Sequence, residues 1–151
     1  MADIFISHAT EDAPFAEFLA RHLQQEGLSV YLASASIPVG DKWMPHIVEN
    51  LRHSKWVLCL ASRAACASPW VMQEMGVAIG ANKKLVPIIW NIQRNMLPGW
   101  MQQFEPVNLA GASQQDVQAA LTHIAASIKE EKRNGAVIGV LLLAGLALFA
   151  K

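Results

Sequence analysis

The feature that most constrains the fold of this chain is a regular alternation of short apolar runs with amphipathic segments. The apolar runs are separated by stretches in which apolar residues recur at helical spacing. They lie at residues 3–7, 28–32, 55–61, 85–90 and 107–110. Strands that alternate with helices are joined by right-handed crossovers, which places them in one sheet covered on both faces. The pattern therefore predicts an α/β fold, a doubly wound, flavodoxin-like sheet of five parallel strands flanked by helices.

Local signals at single residues mark helix starts and a special strand. Ser68 followed by Pro69 is a strong helix start, and Ser113 with Asp116 resembles a capping box. Pro87 cannot donate to a strand ladder, so it indicates that the fourth run lies near a sheet edge or that the strand ends there. Ligands of such sheets bind beyond the carboxyl ends of the strands. We therefore expect the chemistry in the loops that follow the first three strands.

Composition excludes several classes of function. The chain is 53% hydrophobic and 16% charged, which predicts a packed core rather than disorder. Twelve Lys and Arg balance twelve Asp and Glu, so no basic excess favours nucleic acid as a partner. Cys59 and Cys66 form neither a disulfide framework nor a metal-type pair, and no metal site is predicted. Glycine-rich phosphate loops, zinc-protease motifs and nucleophile elbows are not found in the sequence.

The C-terminal run 135–150 contains no polar side chain. As a helix it would be ~24 Å long, short of the ~30 Å hydrocarbon core by a gap that snorkelling or bilayer thinning can close. Lys132 and Arg133 lie just before it, and the positive-inside rule puts that flank in the cytoplasm. We expect a domain at 1–130, a basic linker at 131–134 and a single-pass transmembrane tail, with the domain in the cytoplasm. The alternative is a cytoplasmic protein whose C-terminal helix is buried in the core.

Glu74 follows Trp70 by one helical turn in the segment that Ser68 opens. Positions i and i+4 share a helix face, so the two side chains are expected to point the same way. A carboxylate beside an indole, at the open end of a parallel sheet, is suited to hold a ribose and to stabilise an oxocarbenium-like centre. From spacing alone, however, the simpler interpretation places Glu74 at the helix surface and Trp70 in the core, because such pairs are common on helices.

Four motifs in register extend this interpretation: DIFISHATED, GLSVYLASASIPVGD, SPWVMQE and KKLVPIIW. In this order and spacing they resemble the Toll/interleukin-1 receptor (TIR) domain over residues 3–128. The resemblance implies the same five-stranded parallel sheet. Many members of the family cleave NAD between nicotinamide and ribose, and they depend on a glutamate in a Trp-x-x-x-Glu arrangement, which Trp70 and Glu74 match. The resemblance therefore implies that NAD is a substrate rather than a cofactor and that Glu74 is the catalytic residue.

The resemblance also implies substrate-binding residues in the loops after the first two strands. His8 matches a family position near the nicotinamide and ribose, where it is either a base or a loop histidine. Residues 33–40 match the BB loop, through which TIR domains self-associate. The implied substrate-binding residues are Ser7, His8, Ser34, Ser36, Gly40, Trp43 and Trp70. The chain departs from the family at Ala33, where many active members have an acidic residue.

Three functions from different classes remain open at this point. The first is a membrane-tethered NAD glycohydrolase or cyclase that self-associates and acts in defence or cell death. The second is a non-enzymatic TIR scaffold that signals by assembling through its BB loop, which the missing acid at Ala33 favours. The third makes the tail 135–150 a membrane-disrupting effector, with the domain controlling oligomerisation. A nucleoside deoxyribosyltransferase shares the fold and the glycosidic chemistry, but the BB-type loop argues against it.

Overall fold

A computed structural model describes residues 2–33 and 43–134 of the chain. These residues form a five-stranded sheet in the order β2-β1-β3-β4-β5, with every pair parallel. The strands are β1 (Ile4–Ser7), β2 (Val30–Leu32), β3 (Trp56–Leu60), β4 (Lys84–Ile89) and β5 (Val107–Asn108). The helices are α1 (Ala13–Gln25), α2 (Trp43–His53), α3 (Arg63–Cys66), α4 (Pro69–Gly80) and α5 (Gln114–Asn134). The predicted fold class is confirmed.

Two hydrophobic cores lie on opposite faces of the sheet because the strand side chains alternate between them. Ile4 and Ile6 of β1 pack with α1 and α5 in one core. Phe5, between them, packs with α2 and α4 in the other. Its ring stacks on Tyr31 of β2, with ring centroids 5.3 Å apart. The α2 and α4 face therefore also receives Ser7, the next residue of β1 in the same alternation.

The predicted helix starts are observed. Ser68 adopts an extended conformation, and its hydroxyl accepts a hydrogen bond of 3.3 Å from the Val71 amide in the first turn of α4. At the start of α5, the Ser113 hydroxyl accepts from the Asp116 amide at 3.1 Å, and the Asp116 carboxylate accepts from the Ser113 amide at 3.3 Å. These reciprocal bonds make a capping box. The four-residue helix α3 was not predicted, because one helical turn is too short to show a period.

Pro87 lies inside β4, the strand next to the edge strand β5, so the prediction that this run lies near a sheet edge is confirmed, and the strand does not end at Pro87. In the register of β3 and β4, Pro87 pairs with Cys59. On the other side of β4, however, β5 pairs only with Ile88 and Ile89. Pro87 therefore has no pairing partner on the β5 side of β4. Proline cannot donate a ladder hydrogen bond, and it is tolerated here because no strand needs one on that side, as at a sheet edge.

The segment 131–134, expected to be a linker, is the last turn of α5. The Trp56 indole N–H donates to the Glu131 carboxylate, which also pairs with Lys84, so this turn is tied to β3 and β4. Trp56 is 2% exposed, which confirms its prediction as a core residue. No helix among residues 2–33 and 43–134 is long and apolar enough to cross a bilayer. The apolar run 135–150 lies outside the described residues.

Candidate active site

Glu74 lies on the second turn of α4 and is 2% exposed, while Trp70 one turn earlier is 40% exposed. The simpler interpretation of the Trp-x-x-x-Glu spacing is therefore wrong for both residues. Spacing fixed the helix face that they share, but the covering of that face depends on how α4 crosses the sheet. Helix α4 contacts β1, and Glu74 lies beside Ser7, the last residue of β1. The carboxylate is thus buried at the carboxyl ends of the strands, where ligands of parallel sheets bind.

Burial raises the pKa of the Glu74 carboxyl to about 7. The cause is desolvation, because an ionised carboxylate loses water when it is packed against apolar groups. Ser7, the last residue of β1, opposes this effect through its hydroxyl, which interacts with the carboxyl and lowers the pKa. A buried carboxyl group with a pKa near neutrality at the carboxyl edge of the sheet is a candidate for catalysis.

Three buried polar atoms around this point have no hydrogen-bond partner among the described residues: Ser7 Oγ, His8 Nδ1 and Glu74 Oε2. The Ser7 hydroxyl thus lies close enough to Glu74 to influence its charge without making a hydrogen bond of full geometry. Buried polar groups are nearly always satisfied, so a group of unsatisfied ones indicates a place that a ligand or water occupies. Ser7 and Glu74 are brought together as the sequence predicted.

His8 follows Ser7 but belongs to a different electrostatic environment. Burial lowers the pKa of its imidazole, and the charges of Asp12 and Glu17 together with a backbone hydrogen bond to Ile6 oppose this. Its charged neighbours therefore come from the side of α1, whereas Glu74 belongs to α4. The ring is neutral at physiological pH because its pKa lies below the usual value.

Two residues near Glu74 were missed by sequence reasoning. Burial raises the pKa of the Tyr31 phenol, and the Glu74 charge raises it further. The Cys59 thiol, which is fully buried beside Ser7 in the strand register, also has a raised pKa through burial, with smaller effects of Cys66 and Glu74. Both thiols are held protonated, because burial also raises the pKa of Cys66. The available signal was the strand alternation, which puts Phe5, Ser7 and Tyr31 on one face.

The loops that surround the site are joined by side-chain hydrogen bonds. The Ser62 hydroxyl, which follows β3, donates to the Asp12 carboxylate in the loop after β1. The same oxygen accepts from the Ala65 amide at 3.0 Å and so caps α3. The Arg63 amide donates to Asn91 Oδ1 at 3.0 Å, which ties the loops after β3 and β4 together. These contacts fix the carboxyl edge of the sheet as a unit.

The other predicted site residues divide into those that the structure describes and those that it does not. Ser34, Ser36 and Gly40 lie outside the described residues, and Trp43 is the first residue of α2. Ala33, the residue after β2, is 8% exposed and belongs to the core on the Glu74 side of the sheet. An apolar side chain therefore occupies the position at which the absence of an acidic residue was noted from the sequence.

Two further tryptophans, Trp90 and Trp100, follow β4 in the sequence. Trp90 packs edge-on against Phe15, with centroids 4.9 Å apart. It belongs to the core between the sheet, α1 and α5, and it lines a cleft of about 420 Å³ with Glu11 and Asp12. It therefore lies on the other face from Glu74. Trp100 is 40% exposed.

The chemical capacity of the site follows from one carboxylate and its apolar surroundings. Within the described ranges, 2–33 and 43–134, no three His, Cys, Asp or Glu side chains cluster as metal ligands would. The Cys59 and Cys66 thiols are poor nucleophiles when protonated. A carboxylate in a site of low dielectric stabilises a developing positive charge strongly. The site is therefore suited to a reaction that passes through a cation.

Comparison with known proteins gives an independent result. A family model described as "TIR domain" matches residues 4–141. The chain is 33% identical over 98 residues to the 2′ cyclic ADP-D-ribose synthase AbTIR of Acinetobacter baumannii, which covers 62% of this chain and 36% of that protein. It is 30% identical over 91 residues to the probable 2′ cyclic ADP-D-ribose synthase TcpB of Brucella abortus, covering 57% of this chain and 36% of that protein. This chain therefore spans about a third of the length of these relatives.

A solved structure agrees on the fold. The TIR domain of the Toll-related receptor TRR-2 from Hydra magnipapillata superposes with a TM-score of 0.70 at 15% sequence identity. The match covers 85% of this chain and 99% of that domain.

Proposed function

This chain belongs to the TIR domain family, and from that premise we propose that it cleaves NAD between nicotinamide and ribose, with Glu74 as the catalytic residue. The observation that carries the proposal is the buried Glu74 carboxyl beside Ser7 at the carboxyl edge of the sheet, whose Oε2 has no hydrogen-bond partner among the described residues. The names of the curated relatives support the same reaction class, since both are called cyclic ADP-ribose synthases. NAD is then consumed as substrate.

The chemistry of the substrate explains why one carboxylate suffices. Nicotinamide is attached to ribose as a cationic pyridinium, and when the C1′–N bond breaks its electron pair goes to nicotinamide, which leaves neutral. No general acid is needed for this departure, in contrast to ordinary glycosides. The positive charge moves to the ribosyl ring, and the ionised Glu74 stabilises it there. Because the substrate is itself cationic at this point, its binding favours the ionised form of a carboxyl whose pKa lies near 7.

The product depends on what captures the ribosyl cation. Water gives ADP-ribose and releases one proton, whereas an internal adenine nitrogen or ribose hydroxyl gives a cyclic isomer. The relatives' names make a 2′ cyclic product the first to look for. Purified protein incubated with NAD, followed by chromatography of nicotinamide, ADP-ribose and cyclic isomers, tests the proposal. Release of nicotinamide with one of these products supports it, and intact NAD at high protein concentration contradicts it.

A second candidate function is a TIR scaffold that signals by self-association without catalysis. The observation that favours it is Ala33, whose apolar side chain supplies no carboxylate where many active members have one. A scaffold has no need for a buried carboxyl with an unsatisfied oxygen, which carries a cost in stability. The enzyme is therefore the better-supported proposal, and the same chromatographic assay separates the two.

The finer proposal is a membrane-tethered effector of defence or cell death whose catalytic domain faces the cytoplasm. It is supported by the sequence of the apolar run 135–150 and by the basic residues Lys132 and Arg133 that precede it. Membrane fractionation with a carbonate wash tests the anchor, because extraction of the full chain into the soluble fraction would contradict it. A chain that ends at Asn134 should be soluble, folded and weakly active. Fusion to an unrelated dimerising segment should restore part of the activity through effective concentration.

A further inference from the structure

The last turn of α5 lies at the end of the sheet opposite to Glu74. The Glu131 carboxylate accepts from Trp56, the first residue of β3, and pairs with Lys84, the first residue of β4. Lys132 pairs at 2.9 Å with Asp3, the residue before β1. We call this end of the sheet, where the strands begin, the amino pole. Glu74 lies beside Ser7 at the far end of β1, about 13 Å away at the usual rise of a strand.

Basic side chains concentrate at the amino pole. They come from the residues before β3 and β4, from the end of α2 and from the end of α5: Arg52, Lys55, Lys83, Lys84, Lys129, Lys132 and Arg133. In the part of the chain that the structure describes, the remaining cations are Arg21 in α1, Arg63 after β3 and Arg94 after β4. Positive charge is therefore concentrated at one end of the sheet, although the chain as a whole has a formal net charge of zero.

Local carboxylates neutralise only part of this charge. Lys84 pairs with Glu131, Lys129 with Glu26, Lys132 with Asp3 and Arg133 with Glu130. This leaves Arg52, Lys55 and Lys83 as a surplus at the pole. They form a compact group at its centre, because Lys83 Nζ donates to the carbonyl of Arg52 at 2.7 Å and Lys55 is two residues after α2. Glu49, one turn earlier in α2, offsets part of the surplus.

The described part of α5 ends at this same pole, at Asn134. The sequence continues from Asn134 into the apolar run 135–150, for which we proposed membrane anchoring above. We propose that the amino pole is the face with which the domain lies against an anionic lipid bilayer, so that the Glu74 site points away from the membrane. The proposed membrane anchor is the reason to expect a bilayer near the end of α5. The observed charge distribution is the reason to expect that the lipid is anionic.

The physical argument concerns charge and access. Each Lys or Arg close to an anionic leaflet raises partitioning about fivefold, and this effect falls off within about 10 Å of the surface. Arg52, Lys55 and Lys83 lie within that range only when the amino pole faces the lipid. In this orientation the carboxyl edge of the sheet stays open to a water-soluble dinucleotide and to a second copy of the domain. In the reverse orientation the bilayer would cover Glu74.

The experiment measures which pole lies next to the lipid in the full chain. A dye is attached at the amino pole through Ala81→Cys or at the carboxyl edge through Gln93→Cys, both exposed positions, each with Cys66→Ala. Quenching by headgroup-labelled lipid is measured in vesicles of phosphatidylcholine with phosphatidylserine. We expect at least threefold stronger quenching at Ala81→Cys. Equal quenching, or stronger quenching at Gln93→Cys, would overturn the proposal.

A matched pair of charge variants tests the cause of this orientation. Arg52→Gln, Lys55→Gln and Lys83→Gln together should abolish the difference in quenching. Arg21→Gln, Arg63→Gln and Arg94→Gln together change the net charge equally and should preserve it. An equal effect of both triple variants would overturn the role of the pole. Thermal melting confirms that each variant is folded.

Flotation separates this proposal from the proposed anchor and from the proposed enzyme. Failure of the full chain to float with pure phosphatidylcholine vesicles rejects the anchor. If the full chain instead floats only with phosphatidylserine vesicles, in a salt-sensitive way that the Arg52, Lys55 and Lys83 variant loses, the amino pole is still supported as the membrane-facing surface. Failure to bind either kind of vesicle rejects both the anchor and the membrane-facing pole. NAD turnover of the same variants is measured in detergent, where it reports only on the enzyme.

Discussion

The Ser7 hydroxyl lies beside the Glu74 carboxyl and lowers the pKa that burial raises. The two residues come from the end of β1 and the second turn of α4, and they meet because both point to the same face of the sheet. Two of their polar atoms, Ser7 Oγ and Glu74 Oε2, have no hydrogen-bond partner among the described residues. This relationship defines the candidate site and gives the first two predictions.

Glu74→Gln should abolish NAD cleavage. The amide has the size of the carboxyl but no negative charge, so it cannot stabilise the ribosyl cation. Loss of such an interaction lowers the rate by ~100-fold to ~1,000-fold. The measurement is nicotinamide release under saturating NAD. Glu49→Gln, an exposed Glu on α2, is the control and should keep wild-type activity. Wild-type turnover by the Glu74 variant would reject the catalytic assignment.

The same substitution should change how stability depends on pH. The pKa of Glu74 rises from 4.5 to about 7 on folding, so the folded chain binds more protons than the unfolded chain between these values. The contribution of Glu74 to the free energy of unfolding therefore falls as pH rises from 4.5 to about 7. Above about pH 7 the buried charge costs about 3 kcal/mol. Glu74→Gln should match the wild type at pH 5 and melt several degrees higher at pH 8.5.

Comparing the two proteins at each pH isolates Glu74 from His8. The lowered pKa of His8 acts in the opposite direction, because its stabilising contribution is lost as pH falls below the unfolded value of 6.5. His8 is present in both proteins, so its effect cancels in the difference of melting temperatures. A difference independent of pH would show that Glu74 is not protonated on folding.

The sequence predicted the parts of this structure that depend on local chemistry. The Ser68 cap, the Ser113 and Asp116 capping box and the apolar strands each have a signal within a few residues. The burial of Glu74 has no such signal, because it depends on the contact of α4 with β1, which lies more than sixty residues earlier in the chain. The contact of Asp12 with Ser62 is invisible for the same reason.

Errors at the ends of elements have a different physical origin. Residues 131–134 include Lys132 and Arg133, and basic residues are typical both of linkers and of the last turn of a helix, where they favour the negative end of the dipole. The contact of Glu131 with Trp56 decides in favour of the helix. Pro87 lies near the sheet edge as predicted, but the length of β5 was not predictable, and its two residues of pairing leave part of β4 unpaired on that side.

Ser62→Ala should loosen the loop that carries His8. It removes the hydrogen bond to Asp12 and the cap of α3, and a lost cap with a buried, unpaired partner costs about 1–3 kcal/mol. Ser113→Ala removes an exposed cap at the start of α5 and is the matched control, with a smaller loss of stability. Urea unfolding measures both. We also expect a raised KM for NAD only in the Ser62 variant, and equal KM values would show that the loop contact does not affect the site.

Activity should depend on self-association. One domain of this size encloses only part of a dinucleotide, so a second copy is expected to complete the site through the loop 33–40. Specific activity should rise with protein concentration, and Gly40→Arg or Pro38→Asp should lower both assembly and turnover. Light scattering and nicotinamide release are measured on the same samples. Concentration-independent activity of a proven monomer would contradict the prediction.

The pairing of β4 with its neighbours bears on how the protein avoids aggregation through the edge of its sheet. Open strand edges recruit strands from other copies and start aggregates, and natural sheets block them with proline and lysine. Here Pro87 and Lys84 both lie on the stretch of β4 that β5 leaves unpaired. The short fifth strand therefore does not expose a template for amyloid-like growth. Crowded domains remain free to associate by other surfaces, through contacts that can be reversed.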